Sequence, residues 1–577
     1  MQMAPVQFIS EPDIFLLGLG AALILLVYRT LVQGSQTKAR LTALKSPPSE
    51  SWFFGCSRTI IESADAAPIY EQWRSQYGDV FAIPTVLGGK RVVLCDPKAI
   101  THFYAHESTT YVQSGLGKQF IKKFFGNGIL VAEGENHRRQ RKALTPAFSV
   151  AAIRRLTSVF YDSAHKAKNY WENTINESSS SSGDSALIDV QSWMNRIALD
   201  SIGIAGFAHD FHALDGHSNE FAELFDSLGS RNPGTFSMML FLLSTVFPFV
   251  LQIPTARSRN IARLSQGLSA IADELLKKSK EEGEKGVTSD TLAEEKSLIG
   301  LLIKAEGQNA ELYMTKDEVM AQMNVLILAG YETTSSEFFL FPFTACHLTC
   351  LFMYLVSLTW ALLELSRKPA IQTKLREELL AFGSADPTLD QLTNQLPYLD
   401  AVVHEVLRTH PPVVETNRVA TTDDIIPLSH PITTRTGQST DHIVIPKGTR
   451  VSAPISMVNR TENFWGEDAG VFIPERWLVD GPQGKAAGDA RSDGLKKNQI
   501  QGHRHLLTFS DGPRICLGKA FALAESKAVL SVLVRNFEFR FPDGGEPNIV
   551  KHQGILPRPK YEGEEKARTP LVVRRLD

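Results

Sequence analysis

The chain has 577 residues, 43% of them hydrophobic and 21% charged. That is the balance of a folded protein rather than a fibrous or disordered one, and the length allows two or three domains or one large core. A formal net charge of −3 gives no bulk attraction to nucleic acid, and no basic, aromatic-interleaved stretch supplies a groove for it, so nucleic acid is excluded as a partner. Five cysteines, Cys56, Cys95, Cys346, Cys350 and Cys516, are too scattered for a disulfide framework and point to a reducing compartment.

Residues 14–32 are apolar apart from Arg29 and a few small or weakly polar side chains. As a helix they reach about 28 Å, enough to cross a bilayer. Glu11 and Asp13 precede them, while Arg29, Lys38, Arg40 and Lys45 follow, which puts the rest of the chain in the cytosol. No basic leader or small-residue cleavage site marks a cleaved signal peptide. Residues 1–33 are therefore expected to be a membrane anchor and 34–50, with Ser46-Pro47-Pro48-Ser49, a stiff linker; residues 51–577 are expected to form one catalytic domain.

Within that domain the runs 178–182, 277–285 and 480–502 read as surface loops. The β-branched runs 91–94 and 442–451 read as short strands among dominant helical patterns, so the fold class is mainly α with a small β region. A second apolar stretch, 236–253, is broken by Pro248 and closed by Pro254. It suits a segment dipping into a membrane interface as well as it suits a buried core helix.

Thr315 and Glu318 form a capping box opening an apolar helix that runs into Ala329-Gly330-Tyr331-Glu332-Thr333-Thr334. Between Pro397 and Pro411-Pro412, the residues Leu399, Val402, Val403, Val406 and Leu407 recur at i, i+3, i+4, i+7 and i+8, marking one amphipathic helix. Glu405 and Arg408 share a face of it; on spacing alone they are a surface ion pair worth under about 1 kcal/mol.

The most informative run is Phe509-Ser510-Asp511-Gly512-Pro513-Arg514-Ile515-Cys516-Leu517-Gly518. A single cysteine fits neither zinc nor an iron–sulfur cluster, which need several ligands, whereas haem needs one. The glycines allow close backbone approach to a flat cofactor, and Arg514 can meet a carboxylate. A helix over 517–530 would set its positive end against the sulfur and favour the thiolate.

This run resembles the haem-binding signature Phe-x-x-Gly-x-Arg-x-Cys-x-Gly of the cytochrome P-450 superfamily at every fixed position. Other motifs follow in the family's order, so the resemblance covers roughly residues 45–577, in the style of eukaryotic microsomal and fungal members. It implies the cytochrome P-450 fold behind an N-terminal transmembrane helix, a single-pass protein of the endoplasmic reticulum membrane with its catalytic domain in the cytosol. It also implies heme b (iron protoporphyrin IX) on Cys516, with Phe509 beside the sulfur and His137, Arg141, Arg418 and Arg514 on the propionates. Many members carry tryptophan where His137 stands.

The resemblance further implies a buried structural network of Glu405, Arg408 and Arg476, the last within Phe472-Ile473-Pro474-Glu475-Arg476-Trp477. Glu332 and Thr333 become the catalytic proton relay to bound oxygen. Val413, Val414 and Glu415 become substrate contacts, with the loop 108–125 as another wall; Glu415 is expected either to select a polar or cationic group or to face solvent. Arg138, Arg139 and Lys142 read as a solvated basic face, to which the family adds docking of an acidic reductase. The implied activity is a monooxygenase that puts one atom of O2 into an apolar small molecule, in fungal secondary metabolism or xenobiotic oxidation. Its electrons would come through a membrane-bound NADPH–cytochrome P-450 reductase, because the chain has no nicotinamide or flavin fingerprint of its own.

One feature departs from the family. Members run from Thr-Thr directly into a stretch like Leu358-Thr359-Trp360-Ala361-Leu362, whereas here residues 337–357 intervene. The segment reads as a short retained intron, in phase and without a stop codon. Within it Cys346-His347-Leu348-Thr349-Cys350 is read as plain burial rather than a metal site. The alternative function is an inactive or non-catalytic, membrane-tethered haem-binding isoform.

Overall fold

A computed structural model describes residues 40–215, scattered positions between 259 and 277, and residues 313–332, 355–478, 506–552 and 558–576, apart from a few positions inside these ranges. The expected anchor at 14–32, the stretch 236–253, the run 480–502, nearly all of 277–285, Thr333 and segment 337–354 lie outside the described residues. Among the described residues no helix is long and apolar enough to cross a membrane.

After a short helix at Ser57–Glu62, the described chain runs through α1 (Ala67–Tyr77), β1 (Val80–Pro84), β2 (Lys90–Leu94), α2 (Pro97–Ala105), β3 (Tyr111–Val112), α3 (Gly115–Phe125) and α4 (Gly134–Leu144). There follow α5 (Val150–Ser182), β4 (Ser185–Asp189), α6 (Val190–Phe207), α7 (Lys316–Glu332), α8 (Leu355–Arg367), α9 (Pro369–Phe382) and α10 (Pro397–Thr409). Next come β5 (Thr416–Ala420), β6 (Asp424–Thr433), β7 (Ser439–Ile445) and β8 (Arg450–Ala453). The last elements are α11 (Lys519–Asn536), β9 (Phe537–Arg540), β10 (Ile549–His552), β11 (Arg558–Tyr561) and β12 (Pro570–Arg575). The described body is mostly helical, with four small sheets.

The largest sheet has the order β1-β2-β8-β5-β3. Only β2 and β8 run parallel in it, with Arg91 opposite Arg450, while β5 pairs antiparallel with β8 and places Arg418 opposite Val451. A second sheet, β4-β12-β9, ties the chain's end to the start of α6. The core lies where α5 meets α11: Phe160 and Phe521 meet edge to face at 4.8 Å, and Trp171 is fully buried.

Local chemistry sets the helix ends. Asp96 caps α2 by accepting the Ala99 amide at 2.9 Å, and Pro97 fills the first turn, where no N–H is needed. Thr315 and Glu318 bond each other's amides at 3.2 and 3.0 Å, the expected capping box of α7. Prolines bound α10 as expected, but this helix is buried almost all round, with its apolar stripe and both Glu405 and Arg408 inside.

Several expectations shift. Residues 178–182 continue α5 instead of forming a loop; Thr174 and Ser178 turn their hydroxyls back to carbonyls one turn earlier, at 2.9 and 2.8 Å, so these hydroxyls are satisfied within the helix. The run 442–451 breaks at Gly448, whose φ of +86° makes a turn, so β7 and β8 belong to different sheets. Part of the stretch expected as linker is already inside the fold: Ala82 N–H donates to Lys45 O at 2.9 Å, Arg435 N–H donates to Ala43 O at 2.7 Å, and Leu44 is buried. Residues 115–125 of the expected wall loop are α3.

Candidate active site

Cys516 sits two residues before Gly518, the residue that caps α11, so it lies at the helix's positive end. Its amide donates to Phe509 O at 2.9 Å, closing a loop in which both side chains are buried. Two residues of the loop take positive φ, Ser510 at 60° and Gly512 at 65°. The glycine is also a steric requirement, because a Cβ there would stand 2.3 Å from Tyr104 O in α2. Thus Gly512 lets the loop close on the protein's own helix. Lys519, 5.2 Å above the Phe509 ring, places its ammonium where the Cys516 charge acts on it, though burial outweighs that attraction and lowers its pKa.

The loop is laced to α10 through groups that no sequence motif announced. Thr508 donates its hydroxyl to Leu407 O at 2.6 Å and accepts from the Asn459 amide at 2.7 Å, while Asn459 Oδ1 accepts the Leu507 N–H at 3.0 Å. The Asn459 carbonyl in turn accepts from Arg408 at 3.1 Å. Arg408 grips Glu405 with two bonds, and Glu405 also accepts the Ile473 amide at 2.7 Å and the Trp477 indole N–H at 2.9 Å. Arg476 stands 3.6 Å from the same carboxylate and donates to Trp465 O at 2.9 Å. The surface-pair reading of Glu405 and Arg408 gives way to a fully buried network, because the carbonyls of Asn459, Ala469 and Val471 and the Ile473–Trp477 segment close over that face of α10.

The expected propionate cations come together only in part. His137 on α4 is buried, and burial first, then Arg514 and Arg141, drives its pKa down to about 3. The imidazole is therefore neutral, and the charges bearing on it are both positive. Arg514 also donates to Ala132 O just before α4. Arg418 on β5 is buried and forms an ion pair with Glu107, an acid that no motif singled out.

Among the substrate candidates, Val413 is buried and Val414 half-buried. Glu415 does not face solvent: it is buried 3.4 Å from Arg91, which also donates to Asn417 at 3.0 Å and to the Tyr70 hydroxyl at 2.6 Å. Arg139 leaves the expected basic face as well. It pairs with Glu318 at 2.5 Å and, with the Thr315 amide and Gln140, holds that carboxyl below its usual range against burial. Arg138 stays largely exposed. Glu332 is the last residue of α7, and its side chain lies outside the described residues.

These residues fit haem. Cys516 is a buried thiol with no second cysteine in its loop, and no group of three or more metal-ligating side chains occurs among the described residues. Beside it, Arg514 and Arg141 both bear on the buried His137 with positive charge, a setting that suits an anion such as a carboxylate.

The comparisons agree with that geometry. The family model described as "Cytochrome P450" matches residues 46–341 and 355–563. The curated protein "Cytochrome P450 monooxygenase claP" of the fungus Ampulloclitocybe clavipes is 51% identical over 100% of both chains, and claO of the same organism is 53% identical over 94% of each. "Cytochrome P450 monooxygenase 205" of Postia placenta is 35% identical, covering 97% of this chain and 98% of its own. The chain belongs to the cytochrome P450 family. It is an enzyme of the class whose fungal members carry the monooxygenase name.

Proposed function

We propose that this enzyme is a membrane-anchored haem-thiolate monooxygenase that inserts one oxygen atom of O2 into an apolar organic molecule, using electrons from NADPH delivered by an NADPH–cytochrome P-450 reductase. The observation that carries the reading is the buried Cys516 thiol at the head of α11, in the same loop whose Arg514 joins His137 and Arg141 in a positive cluster. Haem, when bound, would supply dioxygen activation and oxygen transfer, helped by electron donation from its thiolate ligand.

The chain's own groups would do the rest. Cys516 would hold the iron, and Arg141, Arg418, Arg514 and the neutral His137 would take the carboxylates. Glu332 and Thr333 would pass protons inward. Val413 and Val414 would present an apolar wall, with Glu415 held behind it by Arg91. The apolar segment 14–32 supports anchoring in the endoplasmic reticulum membrane with the catalytic body in the cytosol.

Protein made with ample haem is expected, once reduced, to give the strongly red-shifted carbon monoxide band of a thiolate ligand, and Cys516→Ala to lose it. A parent protein that takes up no haem, or an unchanged band in the variant, sinks the reading. Oxidised product that forms only with both NADPH and reductase supports the electron route.

One observation favours a second reading, an inactive haem-binding isoform: the family model passes over residues 342–354, inside the segment 337–357, whose last three residues already open α8. We take that segment to be a retained intron. Sequencing the mature transcript, and comparing haem uptake of the full chain with a form joining Ser336 to Leu358, separates the two; an abundant message carrying the segment and full uptake by the long form would refute the intron.

A further inference from the structure

Glu107 is the group of the candidate site that its motifs leave unexplained. It has no exposed surface, and its carboxylate forms an ion pair with Arg418, itself almost wholly buried. No other donor reaches the Glu107 carboxylate among the described residues. A buried acid is costly unless it is paired, so this position is built for that one partner.

The surrounding loop is fastened to each part of the site. Tyr104 lies against Gly512 of the cysteine loop, and its hydroxyl meets Thr416 of β5 at 3.0 Å. Ser108 O accepts the Gly134 amide at the start of α4 at 2.9 Å, and Tyr111 pairs with Ala420 at the end of β5. Ser108 itself holds φ at +92°, a conformation that non-glycine residues avoid. Backbone strain beside Glu107 is therefore tolerated where it turns the acid inward.

Arg418 is fixed at two points, Nη2 on Glu107 and Nη1 on the Asn417 carbonyl at 2.8 Å, which together set the plane of the guanidinium. Arg418 and Glu107 carry no net charge between them, so losing the Glu107 carboxylate would remove the negative half of a buried ion pair and leave the guanidinium's positive charge in its place.

We propose that Glu107 is a positioning residue for Arg418 and that its negative charge offsets that of the guanidinium, so that it sets how readily the bound iron is reduced. The inference rests on the haem reading above. A negative charge near the iron disfavours gaining an electron, so removing it shifts the midpoint potential to more positive values, and removing Arg418's charge shifts it to more negative ones.

The test is spectroelectrochemical titration of haem-loaded full-length protein, with the rate of haem transfer to an apoglobin as a second readout. Glu107→Gln is expected to raise the potential; Glu107→Asp, which keeps the charge on a shorter arm, is expected to hold the parent potential while losing haem several-fold faster. Arg418→Gln is expected to lower the potential, and adding Glu107→Gln to it to raise it again. That last comparison leaves no buried guanidinium stranded, so it stands even if Glu107→Gln alone fails to accumulate. A potential indifferent to Glu107→Gln in both backgrounds overturns the inference, since a merely structural acid would alter melting without moving it. A parent that binds no haem refutes the haem reading instead.

Discussion

Arg408 closes on Glu405 with Nε 2.8 Å from Oε2 and Nη2 2.7 Å from Oε1, and neither side chain has exposed surface. Two parallel bonds use the fork of the guanidinium, and its remaining donors reach the carbonyls of Asn459, Ala469 and Val471. The pair thus gathers the segments that lead to the cysteine loop.

Breaking one partner strands the other in a dry interior, which costs about 3–5 kcal/mol. Glu405→Gln and Arg408→Lys are therefore expected to fail in soluble yield and thermal stability before any catalytic step is affected, with haem content falling in parallel. Stable, haem-loaded variants that lack only turnover would contradict this.

Gly512→Ala is expected to act through shape alone. The added methyl would meet Tyr104 O, and φ of +65° costs an L-residue about 1–2 kcal/mol on its own. The loop must shift away from α2, dragging the ligand sulfur with it. Weaker haem retention with a modest drop in melting temperature is the expected result, read by haem content per folded protein.

The cysteine loop and α10 were legible because their information is local: a run of ten residues, and an apolar repeat between prolines. What escaped the sequence are pairings across the fold, Glu107 with Arg418, Glu415 with Arg91 and Asn459 with Thr508, which sheet order and loop packing create. The same blindness made Arg139 look like part of a solvated face when its partner Glu318 comes from α7. At 178–182 composition misled for another reason. A serine run suggests a loop, yet α5 continues through it, and hydroxyls such as those of Thr174 and Ser178 find acceptors on the helix's own carbonyls.

His137 gives a pH signature. Its folded pKa, pushed down to about 3 by burial and by Arg514 and Arg141, lies below the ordinary value of 6.5. Between those values the unfolded chain takes a proton that the folded one refuses. The stability contributed is present above pH 6.5 and is lost as pH falls, by up to about 1.4 kcal/mol per pH unit. His137→Asn keeps an N–H donor without titration, so its urea stability should fall less steeply than the parent's between pH 6.5 and 4. Equal slopes would show that the imidazole accepts a proton in the folded state.

Glu525 on α11 has the opposite sign. It is fully buried, and burial raises its pKa to about 8 from 4.5, with the Ser201 hydroxyl of α6 offsetting only part of that. At neutral pH the folded acid keeps its proton while the unfolded chain sheds it, so this group weakens the fold as pH rises from 4.5 to 8 and adds no further slope beyond. Glu525→Gln preserves the neutral shape and removes the ionisation available on unfolding. The variant should match the parent near pH 4.5 and exceed it at pH 8 by a few kcal/mol at most, approaching about 1.4 kcal/mol per unit across the window. Chemical unfolding at both pH values reads the difference. A variant no more stable than the parent at pH 8 would place a charged, compensated carboxylate there, and with it a cation near α11 that burial alone does not supply.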